Sequence, residues 1–220
     1  MKYTHPSQFI FESYTDAMRL RVHLLIAWGY ERAKPLLDTE DEEEISDILY
    51  QNIQHLLMVQ EESWMANFDI KNEDPISGGQ RKGKSRREID LIIEFTGRGR
   101  PQYVFEAKAL NWRKRHQRID NYVNSQGLGR FITGEYADYT ARFPEVSMLG
   151  YVLSDSVSDW YTWLNSAIDE RKDNLHLFQT QEDVTICAKI PFEWVSIHKR
   201  ESSDLPVTIY HILFDCQSQE

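Results

Sequence analysis

Asp90 and Glu106-Ala107-Lys108 are the residues whose types and spacing could do chemistry in this chain. Both lie in stretches that read as buried β-strands, and carboxylates seldom sit inside apolar strands without a task. In Glu88-Ile-Asp-Leu-Ile-Ile-Glu-Phe95, alternation places Ile89, Leu91, Ile93 and Phe95 on one face and Asp90 on the other. In Tyr103-Val-Phe-Glu-Ala-Lys-Ala-Leu110, Glu106 and Lys108 share a face. Between the two stretches, Thr96-Gly-Arg-Gly-Arg-Pro101 suits a hairpin turn. A five-residue loop over 96–100 pairs residues whose numbers sum to 196. Asp90 then stands opposite Glu106, with Cβ atoms about 5 Å apart.

Two carboxylates at that spacing can hold one divalent cation. Hard oxygen donors suit Mg²⁺, which keeps several waters and accepts phosphate oxygens. Such an ion polarises a phosphoryl group and acidifies a bound water, while a nearby lysine offsets developing charge and orients the water. Lys108 fits that part. As a proton acceptor it would first have to fall from the ordinary lysine pKa of about 10.4. The chemistry expected is metal-dependent phosphodiester hydrolysis.

On Asp90 and Glu106-x-Lys108 the chain resembles the PD-(D/E)XK nucleases, the superfamily that includes many restriction endonucleases. Ile89 stands where a proline sometimes precedes the aspartate. The resemblance implies an α/β fold with a restriction-endonuclease-like α-β-β-β-α-β core and a mixed central sheet. It implies Mg²⁺ or Mn²⁺ held by Asp90, Glu106 and the Ala107 carbonyl, and endonuclease action on DNA in bacterial restriction, phage defence or repair. A further glutamate is often found on the helix before the strands. Glu42 is the candidate, three residues before Ile45 and seven before Leu49 on the inward face. An acidic residue in a first helical turn also has a simpler reading, as a partner for the helix dipole.

The elements that must position these residues follow in a consistent order. Residues 7–33 read as a helix capped by Ser7, with Phe11, Tyr14, Met18, Val22, Leu25 and Trp28 on one stripe. A second helix follows the acidic stretch Asp38–Asp47, with Ile45, Ile48, Leu49, Asn52, Ile53 and Leu56 inward. A short strand is expected over 63–70, then a loop over 72–87 rich in Gly, Lys and Arg, then the two site strands. A helix from about Arg118 turns Ile119, Tyr122 and Val123 inward, and its continuation aligns Gln126 and Arg130, although Gly127 and Gly129 interrupt it. A buried strand is expected over 147–153. Beyond it come a helix over 154–171 and strands near 175–179, 183–198 broken by Pro191, and 206–214, with no assignable acid, base or ligand cluster. These strands either extend the sheet or form a subunit interface.

Composition allows this reading. The chain has 220 residues, 41% hydrophobic and 27% charged, and reads as one domain: an N-terminal helix over 1–37, a nuclease core over 38–153 and a C-terminal helix and strands over 154–220. No apolar run approaches the roughly 18 residues of a membrane span, and the first residues lack a signal-peptide pattern, so a cytoplasmic protein is expected. Cys187 and Cys216 are isolated, and the seven histidines show no zinc-type pairing, so any metal is bound through oxygen. The net charge of −10 is unevenly spread. Residues 81–118 hold twelve basic against four acidic residues, a local +8, which leaves −18 elsewhere. Arg81, Lys82, Lys84, Arg86 and Arg87, then Arg113, Lys114 and Arg115, with Gln126 and Arg130, form the expected nucleic-acid contacts.

Residue types leave open DNA against RNA, one strand against two, and endo- against exonuclease. Cutting both strands calls for two sites, so a homodimer is one expectation, and dependence on a protein partner or trigger is another. Two other classes fit part of the pattern: a catalytically silent nucleic-acid-binding module on the same fold, and an interaction subunit of a larger complex.

Overall fold

A computed structural model describes residues 14–75, 88–136, 143–190, 192–201 and 203–217. Seven strands make one mixed sheet: β1 (Phe68–Pro75), β2 (Glu88–Phe95), β3 (Gln102–Leu110), β4 (Glu145–Val152), β5 (Leu177–Asp183), β6 (Glu193–His198) and β7 (Val207–Asp215), in the order β1-β2-β3-β4-β7-β6-β5. The β3–β4 and β4–β7 pairs are parallel and the others antiparallel. Helices α1 (Tyr14–Ala33) and α2 (Glu42–Val59) cover one face. Helices α3 (Arg115–Val123), α4 (Leu128–Ile132) and α5 (Val157–Glu170) cover the other. Each face has its own apolar core, so β3 and β4 are buried almost throughout and any polar residue on them is informative. Among the described residues no helix is long and apolar enough to cross a membrane.

Helix α2 starts where the sequence supplies a cap. Asp41 Oδ1 accepts from the Glu43 and Glu44 amides at 3.0 and 3.1 Å, satisfying donors that the first turn leaves open. Ile45, Leu49, Ile53 and Leu56 then face the core. At Gly29 of α1 the two helices touch, since a Cβ there would lie 2.3 Å from Ile53 Cγ1.

Several boundaries differ from the sequence reading. Ser7 and Phe11 of the first helix lie outside the described residues. Residues 63–67 form a 3₁₀ turn that buries Trp64 and Met65, and the strand begins only at Phe68. It runs on to Pro75 through polar residues because β1 is an edge strand, held by backbone pairing to β2 from Phe68↔Phe95 to Pro75↔Glu88. Of the expected stretch 183–198, broken in the sequence by Pro191, the part after the proline is strand, Glu193–His198. The C-terminal strands extend the sheet, with β7 paired in parallel along the whole of β4.

The expected continuation from Tyr122 to Arg130 does not form, because the chain turns at Asn124 and restarts as α4. Gly127 makes this turn possible: a Cβ there would lie 2.1 Å from the Tyr122 carbonyl oxygen. Gly127→Ala is expected to cost about 2 kcal/mol, read from urea denaturation, because the backbone must move to admit the methyl.

Candidate active site

The hairpin register is the one expected. Leu91↔Phe105, Ile92↔Val104, Ile93↔Tyr103 and Glu94↔Gln102 pair across β2 and β3, and the turn closes with Phe95 N donating to the Pro101 carbonyl at 3.0 Å. Faces agree with one exception: Leu91 and Ile93 join the core under α1 and α2, whereas Ile89 joins the opposite core beside Ile92 and Val104.

Past Leu91, carboxylates take over the edge of β3. Asp90 Oδ2 accepts from the Ala107 amide at 2.6 Å, and Glu42 Oε2, reaching over from the first turn of α2, accepts from the Ala109 amide at 2.6 Å. Lys108 Nζ donates to Glu106 Oε1 and to the Ala107 carbonyl, each at 2.6 Å, and lies 3.4 Å from Glu42 Oε1. Asp90, Glu106, Ala107, Lys108 and Glu42 are thus brought together. Among the described residues, no three acidic, histidine or cysteine side chains are arranged to hold a metal ion as they stand; the cation among these oxygens is the Lys108 ammonium.

Glu106 has no solvent exposure and is the most heavily bonded group. Besides Lys108 it accepts from Arg130 Nη1, 2.7 Å from both carboxylate oxygens, and from the Tyr136 hydroxyl at 2.6 Å. Arg130 Nη1 also lies 2.8 Å from the Tyr136 oxygen. A buried carboxylate is tolerated only when paired and hydrogen-bonded in this way.

These contacts set the proton states. Burial, then the Glu106 charge, pushes the Asp90 carboxyl up to about 7, against weaker downward pulls from Lys108 and the Ala107 amide. For Lys108, burial works to lower the pKa, but Glu106, Glu42 and Asp90 outweigh it and hold the ammonium above its ordinary value. Lys108 in this arrangement is a fixed positive charge and not a proton acceptor. Arg130 is likewise raised by Glu106 and Tyr136 in spite of burial. Burial, then the Glu106 charge, pushes the Tyr136 hydroxyl up, so it stays a donor. Tyr136→Phe removes a bond to a buried carboxylate and is expected to cost about 1.5 kcal/mol in urea denaturation.

The expected nucleic-acid contacts divide. Arg81, Lys82, Lys84, Arg86 and Arg87 lie outside the described residues. Arg113 and Lys114 are exposed on a 3₁₀ turn directly after β3, and Arg115 stacks over the Trp163 ring with its guanidinium carbon 4.6 Å from the centroid. Gln126 is exposed in the turn between α3 and α4. Arg130 is spent on Glu106, so its observed partner is a carboxylate of the site. The basic residues do not all gather at the site, as the charge count suggested: Arg98 and Arg100 sit in the hairpin at the far end of the strands, where Arg100 Nε bonds to Glu94 Oε1 at 2.7 Å.

Sequence reasoning gave no role to Tyr136, which ends the four-residue turn 133–136 and carries no periodic signal. It also assigned no cluster to the C-terminal strands. These carry Ser196, His198 and His211, linked in a fully buried chain: Ser196 Oγ lies 2.7 Å from both His211 Nε2 and His198 Nε2, and His211 Nδ1 lies 2.9 Å from the Tyr122 oxygen. Burial lowers both imidazoles, His198 to about 4, so they are neutral links tying β6 and β7 to α3.

The chain matches no protein-family model, no curated protein and no solved structure. The functional reading therefore rests on the geometry of this site.

Proposed function

We propose that this chain is a metal-dependent nuclease of PD-(D/E)XK type that hydrolyses phosphodiester bonds of DNA. The observation that carries the reading is the convergence on one ammonium of the Glu106 carboxylate, the Ala107 carbonyl and, at 3.4 Å, Glu42, with Asp90 on the adjoining amide. The succession through β4 of two helices, three strands, the broken helix pair α3 and α4, and a strand, with a mixed sheet, supports a restriction-endonuclease-like core.

The donor set consists of hard oxygens already assembled around a positive charge, which fits Mg²⁺ or Mn²⁺. Asp90, Glu106 and the Ala107 carbonyl would hold the ion, and Glu42 would complete the acidic rim. Bound there, the ion would polarise the scissile phosphoryl group and acidify a water. The chain's own groups do the remaining work. Asp90 would bind the ion as its carboxylate, releasing to solvent the proton that its burial favours. Arg130 and Tyr136 hold the Glu106 carboxylate in one orientation, so that only Lys108 has to move. Released from Glu106, the Lys108 ammonium orients the attacking water through the oxygen lone pair and offsets charge on the phosphate. A cytoplasmic setting in restriction, phage defence or repair accords with this reading.

A second reading, a catalytically silent nucleic-acid-binding module or interaction subunit, draws on one observation: Glu106 already accepts from three side chains. The two separate on a substrate panel. Supercoiled plasmid, linear duplex, single-stranded DNA and RNA are incubated with wild-type protein in Mg²⁺, Mn²⁺ or EDTA. Cutting in metal and none in EDTA is expected, and the product pattern distinguishes endo- from exonuclease. Salt-sensitive binding without cutting under any condition would favour the silent module.

A further inference from the structure

We propose that Trp112 is a base-stacking platform and that the strand passing the site is unpaired DNA; the proposal rests on the nuclease reading above. Trp112 follows β3 by two residues and is 57% exposed. It is four residues from Lys108, so the two Cα atoms are at most about 13 Å apart along the extended chain. Exposed tryptophans standing singly are ordinary on protein surfaces. Two features set this one apart.

The first is that the backbone beneath it is fixed on both sides. The Trp112 amide donates to Ser154 Oγ at 2.8 Å, at the C-terminal end of the parallel neighbour β4. Asn111 Oδ1 accepts from the Arg113 amide at 3.1 Å, the Asn111 carbonyl accepts from the Lys114 amide at 3.1 Å, and Asn111 Nδ2 donates to Glu40 Oε2 at 3.0 Å. Ordering a backbone so firmly beneath a large ring that is mostly left in water makes sense when the ring is kept for a ligand. The second is charge. The segment 112–118 contains Arg113, Lys114, Arg115 and Arg118 and no acid, in a chain of net charge −10. Cations that follow a phosphate backbone beside an aromatic face are what recognition of single strands uses, because a base can reach the ring only when it is not stacked in a duplex.

The test is fluorescence anisotropy in EDTA, so that nothing is cut, with a labelled oligonucleotide of about 16 nucleotides as a single strand and as its duplex. Wild type, Trp112→Phe and Trp112→Ala are compared. Trp112→Ala is expected to weaken single-strand binding roughly tenfold while duplex binding changes less than about twofold, and Trp112→Phe, which keeps an aromatic face, is expected to retain most of it. An equal loss on both probes, or no loss on either, overturns the proposal, as does failure of wild type to bind the single strand. Circular dichroism of each variant separates a stacking effect from misfolding, and Trp112→Phe carries the test if Trp112→Ala does not fold. Because these are binding measurements without metal, they stand apart from the nuclease reading, which falls instead if cutting survives loss of Asp90.

Discussion

Lys108→Ala is expected to lower DNA cleavage by about 10²–10³-fold, the loss seen when one charge-stabilising donor is removed from an active site. In EDTA the same change is expected to lower the unfolding free energy by about 3 kcal/mol, as for breaking a buried ion pair. The reason is local: Lys108 is the cation that Glu106 and Glu42 share, and it lies against the Ala107 carbonyl. Without it, Arg130 and Tyr136 still satisfy Glu106, but Glu42, Asp90 and Glu106 face one another with less positive charge between them. Mn²⁺ should then stabilise the variant more than it stabilises wild type, because the ion takes up the position that the ammonium left, and saturating ligand at about a hundred times its dissociation constant adds about 2.7 kcal/mol. Urea denaturation in EDTA and in Mn²⁺ checks both parts. Equal stability of variant and wild type in EDTA would contradict the shared-cation account.

Asp90→Asn is expected to abolish cutting and yet make the metal-free protein more stable at high pH. The Asp90 carboxyl rises from an ordinary 3.8 to about 7 on folding, first because it is buried and second because Glu106 is near. The folded chain therefore binds this proton more tightly than the unfolded chain. Stability falls as pH rises from about 4 to about 7 and levels off above, where both states are ionised. Asparagine keeps an acceptor for the Ala107 amide and never ionises, so its advantage over wild type grows across the same window. Allowing for the partial exposure of Asp90, the gain is about 2 kcal/mol between pH 5 and pH 8. Urea midpoints at the two pH values measure it, and a gap that stays constant, or that favours wild type at pH 8, would show that Asp90 carries no such burden.

Much of the site was legible in the sequence because strand alternation and a short hairpin fix register. The two glycines and five-residue span of the turn set the numbers that pair, and the pairs observed from Leu91↔Phe105 to Glu94↔Gln102 follow that register. Glu42 was legible for a similar reason, since helical periodicity put it on the face of Ile45 and Leu49, and Asp41 then starts the helix at that residue. Contacts that depend on tertiary placement were not legible. Tyr136 reaches Glu106 through a turn with no periodic pattern, and Arg130 was aligned on a helix that Gly127 breaks. β1 escaped notice beyond Ile70 because an edge strand needs a paired backbone and not apolar side chains. The polar chain through Ser196, His198 and His211 was invisible because it joins β6 and β7 to α3, far apart in sequence.

Hydrolysis at Asp90 is tested most directly by cleavage of supercoiled plasmid in Mn²⁺ by wild type and by Asp90→Ala, with EDTA as control. Nicked or linear product is expected from wild type in metal, with none in EDTA and none from Asp90→Ala. Cutting by Asp90→Ala at the wild-type rate would show that the hydrolytic centre lies elsewhere, and an intact plasmid in every lane would remove the case for a nuclease that acts on its own.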